Sequence, residues 1–293
     1  MKRCAYLTMH DPGDFVTDYD LSFDAMAALG WRIDTVPWRD TSIDWNEFDA
    51  VYICTPWDYP QDVDLFMHVL ETIDASSAHL LNPLSLVEWT LTKTYLRDLE
   101  ARGAPIVPSI WFDDIDALQI PHWFRTLAAD KIVIKPDVGA NAQDTYVLSD
   151  PVSDELAAHL KQTFNERPFF VQPFMQNVQS EGEYSLFFFD SEYSHAILKT
   201  PEPGDFRCQE EHGADIKAIT ATNVQVETAQ RVLALVDPQP VYVRADFVRD
   251  AGDNFLLMEL ELIEPSLYLR TDPGAGDRFA RAFDQRFQKL TGI

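Results

Sequence analysis

The stretches VYVRADFVR (residues 241–249) and NFLLMELELI (residues 254–263) decide the fold class at the C-terminal end of this chain. Both are rich in aliphatic and aromatic residues, and only Asp-Ala-Gly-Asp at 250–253 separates them. Two such runs on either side of a short turn predict a pair of antiparallel strands. Side chains of a strand alternate between its two faces, so the register of this hairpin determines which polar residues meet.

Three carboxylates and one guanidinium are expected on one face of this hairpin. Arg244 and Asp246 share a face of the first strand, Glu259 and Glu261 share a face of the second, and the turn places Asp246 within about one residue of Glu259. Like charges so close destabilise a sheet unless a cation lies between them, and oxygen ligands without His or Cys suit Mg²⁺. An exposed face of solvated acids is the alternative. The dense apolar run around both glutamates favours the metal site.

Cations are scarce in this chain, so their positions carry information. Its 23 Lys and Arg residues against 48 Asp and Glu give a formal charge of −25, which disfavours nucleic acid and anionic membranes as partners. Lys135 ends an apolar strand and precedes a loop with Gly139, Ala140 and Asn141. This pattern can bind nucleotide phosphates through the ammonium group and backbone N–H groups, although a solvated lysine at a strand end is the common alternative.

Two further segments could contact a nucleotide. The strand ending at Gln172-Pro173-Phe174 could offer backbone groups to an adenine edge, or it is an ordinary strand terminus. Lys199 precedes a Gly- and Pro-containing loop and Arg207 lies within it, so the two could clamp a phosphate or carboxylate. A plain surface loop is the alternative there.

The first hundred residues alternate short apolar runs with helical patterns, which predicts a small open α/β sheet with largely parallel strands. Strands are expected at 3–8, 31–38 and 48–54, and helices at 18–30 and 61–74.

The loop 54–60 follows the third of these strands, and loops in that position usually face the ligand. Its Trp57, Asp58 and Tyr59 are therefore candidate substrate contacts, and Tyr268 is a further candidate for an aromatic wall. Because aromatic side chains in loops often pack against the protein itself, packing is the alternative role for each of these rings.

A helix expected at 90–102 ends at Gly103, where a domain boundary is predicted. Beyond it the strands include a second hairpin, 183–190 with 193–200.

The three cysteines predict no disulfide set. Cys4, Cys54 and Cys208 include no C-x-x-C pair and favour small buried thiols in a reducing compartment. No apolar run is long enough to cross a bilayer, and the first ten residues lack the apolar region of an export signal, so a cytoplasmic location is expected.

Taken together, GEYSLFFF (182–189), SHA (194–196) and the segment 199–209 resemble the ATP-grasp superfamily, and the resemblance extends from about Asn82 to the C-terminus. The chain is most similar to the glutathione-synthetase and RimK-type branch, and within it to ATP-grasp ligases of D-cycloserine biosynthesis. The resemblance implies an α/β (α+β) fold with an N-terminal pre-grasp domain at 1–103, a central ATP-grasp lobe at 104–175 and a C-terminal lobe at 176–293.

The resemblance also implies roles toward ATP. Lys93 and Lys135 match the two lysines that contact the phosphates, with Gly139 in the phosphate loop. The segment Gln172-Pro173-Phe174 matches the hinge that holds adenine, and Glu183 matches the acid near the ribose.

The remaining roles concern the reaction. Lys199 and Arg207 match cations that serve the phosphates and the acyl-phosphate, and Arg244 matches an arginine that steadies the tetrahedral intermediate. The three acids of the hairpin match the magnesium ligands, with Mn²⁺ as an alternative metal. Many relatives have Asn at the position of Glu261, which makes this site more acidic.

The resemblance implies an ATP- and Mg²⁺-dependent ligase that joins a small-molecule carboxylate to an amine through an acyl-phosphate. The substrate class would be an amino acid or peptide-like molecule, and ring closure within one molecule stays open. A kinase-like phosphotransferase and a non-catalytic nucleotide sensor are the alternatives. A homodimer is common in the superfamily.

Overall fold

The computed structural model describes residues 1–139 and 142–292, and within them the strands form three sheets. The first sheet is parallel and has the order β2-β1-β3-β4, which confirms the predicted open parallel sheet. Its strands are β1 (Lys2–Thr8), β2 (Trp31–Pro37), β3 (Ala50–Thr55) and β4 (His79–Leu81). Two helices accompany it, α1 (Phe23–Ala28) and α2 (Val63–Asp74). The helix predicted at 18–30 is shorter than expected, because Tyr19–Ser22 forms a 3₁₀ turn.

The single helix predicted at 90–102 is wrong, because the chain forms two helices there. These are α3 (Leu84–Thr90) and α4 (Tyr95–Ala101). Between them the backbone N–H of Lys93 donates to the carbonyl oxygen of Asp137 at 2.8 Å, a tertiary contact that a continuous helix would not allow. The break therefore turns Lys93 toward the second sheet.

The second sheet is antiparallel, with the order β5-β8-β6-β7. Its strands are β5 (Ile110–Phe112), β6 (Lys131–Pro136), β7 (Tyr146–Ser149) and β8 (Phe169–Pro173). The helices α5 (Ile120–Leu127) and α6 (Asp154–Thr163) cover one face, and Trp123, Leu160 and Phe164 pack there on the buried strands. The Ser153 hydroxyl accepts from the N–H of Leu156 and caps α6.

The third sheet is also antiparallel, with the order β11-β10-β9-β12-β13. After the short α7 (Gln176–Ser180) come β9 (Glu183–Phe189), β10 (Glu192–Thr200) and β11 (Asp215–Ile219). The helix α8 (Asn223–Leu233) then precedes β12 (Tyr242–Arg249) and β13 (Phe255–Glu261). Both predicted hairpins are present, β9 with β10 and β12 with β13.

The last helix, α9 (Ala275–Thr291), joins the first and third sheets. Its Phe279 packs against Tyr52 of β3 and Phe189 of β9, at ring-centroid distances of 5.1 and 5.5 Å. Asp284 accepts a hydrogen bond from Trp31 Nε1 at 2.9 Å and contacts Lys2. One core therefore spans the two sheets.

The predicted division of the chain at 103 and 175 stays a prediction. Each sheet draws its strands from one of the three predicted segments, but α3 and α4 pack elsewhere. Leu86, Leu96 and Leu99 share a core with Phe188 of β9 and Leu260 of β13. Within the described residues, no helix is both long and apolar enough to span a bilayer.

Candidate active site

A cavity of about 240 Å³ lies where the three sheets meet. The loop after β3, the ends of β6 and β8, and one face of the β12–β13 hairpin form its walls, together with the loop that follows β10. Of the candidate residues that the structure describes, all line this cavity except Asp58.

The hairpin register brings the predicted charged residues together. Asp246 lies opposite Glu259, and Arg244 lies opposite Glu261, with a register shift after Asp246. The neighbouring strands place Ser185 opposite Asp246, on the other side of β12. All four charged side chains line the cavity, as the alternation of the strands predicted.

Asp246 is the centre of this face and is buried. Arg244 Nε lies 3.1 Å from each of its carboxylate oxygens, Lys199 Nζ lies 3.4 Å from Oδ2, and the Ser185 hydroxyl donates to Oδ1 at 2.5 Å. Burial raises the pKa of Asp246, but Arg244 and Lys199 outweigh it and lower the pKa to about 2. This carboxylate is therefore ionised at neutral pH.

Two other acids are harder to ionise. Burial and the charges of Glu259 and Asp246 raise the pKa of Glu261 to about 7, although Arg244 contacts this carboxylate and opposes the shift. Burial and the nearby Glu261 raise the pKa of Glu264 to about 8. A further cation bound beside them would favour the ionised form of both groups.

The donor chemistry fits a divalent metal, because carboxylate oxygens from Asp246, Glu259 and Glu261 share one face. No set of three acidic, His or Cys side chains in residues 1–139 and 142–292 is already grouped around a common metal position. Each of the three acids contacts a protein cation instead. The metal-ligand assignment stays a prediction.

Besides the contact of Lys199 with Asp246, lysine side chains contact two more acids at the cavity wall. Lys93 contacts Glu259; burial lowers the pKa of Lys93, but the charge of Glu259 outweighs it, so the net shift is upward. Lys199 lies opposite Glu183 in the β9–β10 ladder and contacts its carboxylate. Glu183, the predicted ribose contact, is thus bound by Lys199 in this structure.

Lys135 stands at the end of β6, as predicted, and lines the cavity. Burial lowers the pKa of Lys135, and its ammonium group lies 5.9 Å from the ring centroid of Phe170. Gly139 lines the cavity, and a Cβ there would lie only 3.0 Å from Cγ of Pro136. Ala140 and Asn141, also predicted in this loop, lie outside the described residues.

The predicted adenine hinge forms another wall. Gln172 is buried and its amide Nε2 donates to the Ser109 hydroxyl at 3.0 Å. Pro173 has no N–H, and the N–H of Phe174 donates to the carbonyl oxygen of Lys131 at 2.9 Å. The hinge therefore offers a ligand no N–H group from Pro173 or Phe174 in this structure. The apolar residues of the cavity include Val107, Val133, Met175, Val178, Cys208 and Met258.

The loop after β10 contributes Arg207 to the cavity wall. Its guanidinium is bound by Asp205 of the same loop, with an Nη2–Oδ2 distance of 2.7 Å. All three cysteines are buried and free, as predicted, and burial raises the pKa of the Cys208 thiol, so this thiol is not an activated nucleophile.

The candidate substrate loop divides into two parts. Trp57 and Tyr59 line the cavity, and the Trp57 indole N–H donates to the carbonyl oxygen of Glu264 at 2.9 Å. Asp58 does not line it: its carboxylate accepts from Trp38 Nε1 at 2.7 Å and from Arg39 Nε at 3.2 Å. Asp58 therefore fixes the loop and does not face the predicted substrate position.

The sequence reasoning missed two parts of the wall. Phe15 and Val16 come from the loop after β1, and the Phe15 ring lies 5.2 Å from that of Trp57. Glu264 and Ser266 come from the segment after β13. An acid directly before Pro265, just beyond a strand with two other acids, was a usable signal for this segment.

The segment 264–268 is held by side chains of the third sheet. The buried His195 stacks on Phe187 at a centroid distance of 4.2 Å, and its Nε2–H donates to the carbonyl oxygen of Leu267 at 3.0 Å. Arg244 Nη1 donates to the carbonyl oxygen of Ser266 at 3.3 Å. Tyr268 adopts a positive φ of 46°, a strained conformation for a non-glycine residue that this packing maintains.

Comparison with known proteins identifies the family. A model of the N-terminal domain of D-cycloserine synthetase DcsG matches residues 4–82. The cycloserine biosynthesis protein DcsG of Streptomyces lavendulae is 30% identical over 287 residues, which cover 92% of this chain and 95% of that protein. This chain belongs to the D-cycloserine synthetase family of ATP-grasp ligases.

Solved structures support the same family assignment. The crystal structure of D-cycloserine synthetase DcsG has a TM-score of 0.87 and 29% identity, and covers 97% of this chain and 99% of that one. The structure of the ATP-grasp ligase PsnB with a minimal precursor, Mg and ADP has a TM-score of 0.64 and 14% identity. The match covers 97% of this chain and 98% of PsnB and shows that the two proteins share a fold. The ATP-grasp fold and the α/β class are therefore confirmed, and this member of the D-cycloserine synthetase family is an ATP-dependent ligase that forms C–N bonds.

Proposed function

We propose that this ATP-grasp ligase activates a substrate carboxylate as an acyl-phosphate and joins it to an amine. The observation that carries the proposal is the hairpin face, where Asp246 and Arg244 lie opposite Glu259 and Glu261 at the cavity wall. Carboxylates for a metal and cations for phosphates meet there. Phosphoryl transfer depends on such positioning and charge neutralisation more than on a protein nucleophile.

For the nucleotide, we propose adenine against the Gln172-Pro173-Phe174 hinge and the apolar residues of the cavity, with Glu183 near the ribose. The phosphates would lie toward Lys93, Lys135 and the loop at Gly139, between a central lobe at 104–175 and a C-terminal lobe at 176–293. The hinge and the hairpin belong to different sheets but line one cavity, which supports this orientation.

For the metal, we propose Asp246, Glu259 and Glu261 as the residues that hold Mg²⁺, with Mn²⁺ as an alternative. When bound, the metal neutralises phosphate charge. The protein's own cations would do the rest: Lys199 and Arg207 serve the transferred phosphoryl group, and Arg244 stabilises the negative charge that develops on the attacked carbonyl oxygen.

The reaction divides into two balanced steps. A substrate carboxylate oxygen attacks the γ-phosphorus of ATP, which gives an acyl-phosphate and releases ADP. The amine nitrogen then attacks the acyl carbon, phosphate leaves with the C–O bond electrons, and the nitrogen loses a proton. Because D-cycloserine names a cyclic product of the related protein, one molecule carrying both groups is a substrate class to test alongside separate acids and amines.

The substrate side of the cavity is proposed at Trp57 and Tyr59, with Asp58 acting through its contacts to Trp38 and Arg39. An amino acid or a short peptide-like molecule fits an aromatic wall next to charged groups. A cytoplasmic location would supply both ATP and such substrates.

The test is to incubate the protein with MgATP and a panel of amino acids, amino acids bearing a second amine, and acid–amine pairs, and to follow ADP release and product mass. The proposal expects ADP release coupled to loss of water between carboxylate and amine. A stable phosphorylated product without an amide would identify a phosphotransferase. Tight ATP binding without turnover across the panel would support a nucleotide sensor.

A further inference from the structure

The two lysines proposed to contact the phosphates differ in what they contact now. Lys93 contacts the carboxylate of Glu259, whereas Lys135 has no carboxylate within ion-pair distance in the part of the chain that the structure describes. Both line the same cavity, and Glu259 belongs to the acidic face of the hairpin. Lys93 therefore supplies the positive charge at the position where one proposed metal ligand lies.

The other acids of the hairpin are also paired, Asp246 with Lys199 and Arg244, and Glu261 with Arg244. The side chains of Lys199 and Asp246 are 6% and 5% exposed, and that of Arg244 is 10% exposed. The side chains of Lys93 and Glu259 are 17% and 32% exposed. The contacts of Asp246 are closed off from solvent, and the Arg244–Glu261 contact, with Glu261 28% exposed, is slightly less open than the Lys93–Glu259 contact. The Lys93–Glu259 contact is therefore the one that an entering ligand can open most easily.

The backbone links Lys93 to the strand that carries the other lysine. Lys93 lies in the break between α3 and α4, and its N–H donates to the carbonyl oxygen of Asp137, two residues after Lys135. Burial lowers the pKa of Lys135; the charges of Glu259 and Glu183 oppose this shift, and the charge of Lys93 adds to it. Because both lysines line one cavity with Glu259, a polyphosphate bound there would compete with Glu259 for Lys93.

We propose that Lys93 is an internal counter-ion that makes divalent-metal binding conditional on nucleotide. Without nucleotide, its ammonium group neutralises Glu259 and leaves the acidic face without a complete ligand set. A triphosphate draws Lys93 away, and Glu259 then becomes available to the metal. The inference rests on the proposed function, because it takes Glu259 as a metal ligand.

The consequence can be measured without turnover. Mn²⁺ serves as the probe, with and without a non-hydrolysable ATP analogue, and binding to the protein is the loss of the free-ion EPR signal beyond the loss that the same concentration of analogue causes without protein. Wild-type protein is expected to bind Mn²⁺ tightly only with the analogue. Lys93→Met removes the counter-ion and is expected to strengthen binding of Mn²⁺ alone by about tenfold or more.

Three matched variants complete the test. Lys135→Met removes the lysine without a carboxylate partner among the described residues, and it is expected to weaken binding of the analogue without any gain in binding of Mn²⁺ alone. Lys93→Arg keeps the charge and should behave like the wild type toward Mn²⁺ alone. Adding Glu259→Gln to Lys93→Met should abolish the gain. Thermal unfolding of each variant identifies any that has lost its fold.

Two results would overturn the proposal: wild-type protein that binds Mn²⁺ equally well without nucleotide, or Lys93→Met without a gain. Failure of the proposed function has a different signature. If Glu259→Gln leaves Mn²⁺ binding unchanged in the presence of the analogue, Glu259 is not a ligand, whatever Lys93 does.

Discussion

On one wall of the cavity, charge contacts join Arg244 and Asp246 of β12 to Lys199 of β10, two strands of the same sheet. On another wall, Trp57 and Tyr59 present aromatic rings from the segment after β3. The strand-borne group needs only the register of a sheet to assemble. The loop-borne group depends on contacts with segments far away in the chain, such as the carbonyl of Glu264 for Trp57. The proposed catalytic charges thus lie on strands, and the proposed substrate contacts lie on a connecting segment.

The largest effect is expected from the charged wall. Asp246→Asn keeps the shape of the side chain but removes the charge that Arg244 and Lys199 share. We expect the rate of ADP-coupled ligation to fall about 10³-fold, a magnitude typical of losing one preorganised electrostatic contact. Initial rates of ADP release measure this. Urea unfolding provides the control, because breaking a buried ion pair can itself destabilise the fold by about 3 kcal/mol. A folded variant within about tenfold of wild-type activity would contradict the prediction.

A second prediction concerns the segment 264–268, which His195 holds and which contacts both walls. Burial lowers the pKa of His195 to about 4, below its usual value of 6.5. The unfolded chain therefore takes up this proton at a higher pH than the folded protein does. The contribution of His195 to the free energy of unfolding is fully present above pH 6.5. It falls by about 3 kcal/mol as the pH drops from 6.5 toward 4.

The measurement is the free energy of unfolding in urea at several pH values between these limits. His195→Gln should lose the part of the pH dependence that His195 contributes, whereas the exposed His68→Gln should retain it. An unchanged slope in His195→Gln would show that this histidine does not resist protonation in the folded state.

The smallest effects are expected at the loop, where two adjacent substitutions separate its two functions. Trp57→Phe keeps a ring but loses the hydrogen bond to Glu264, so KM should rise about fivefold with little change in kcat. Asp58→Asn weakens the contacts to Trp38 and Arg39 outside the cavity, so KM should change less than about twofold while stability falls by about 1 kcal/mol. Steady-state kinetics and urea unfolding check both, and the reverse pattern would place Asp58 at the substrate.

The same contrast explains what the sequence could predict. The acids and the arginine of the hairpin were placed correctly because strand alternation and a short turn leave few registers, and Asp246 does lie opposite Glu259. Lys93 illustrates the limit. Its partner Glu259 is 166 residues away, and the break between α3 and α4 that directs it depends on a tertiary contact with Asp137.

Other elements were missed for different reasons. The short strands β4, β5 and β11 have three to five residues, too few for a periodic pattern. The helix α9 did carry a signal, since Phe279, Phe283 and Phe287 recur every fourth residue and are all buried. Phe15 and Val16 had no local signal, because a loop reaches the cavity only through the packing of the whole chain.

The contact between Trp31 and Asp284 spans 253 residues of the chain. During synthesis, β1 and β2 leave the ribosome long before α9, so the surface around Trp31 stays uncovered while nearly all of the remaining chain is made. Vectorial folding of the first sheet would then produce an incomplete intermediate with an exposed aromatic patch. Such a nascent chain would be a natural client for a chaperone, and a polypeptide truncated before α9 would be prone to aggregation.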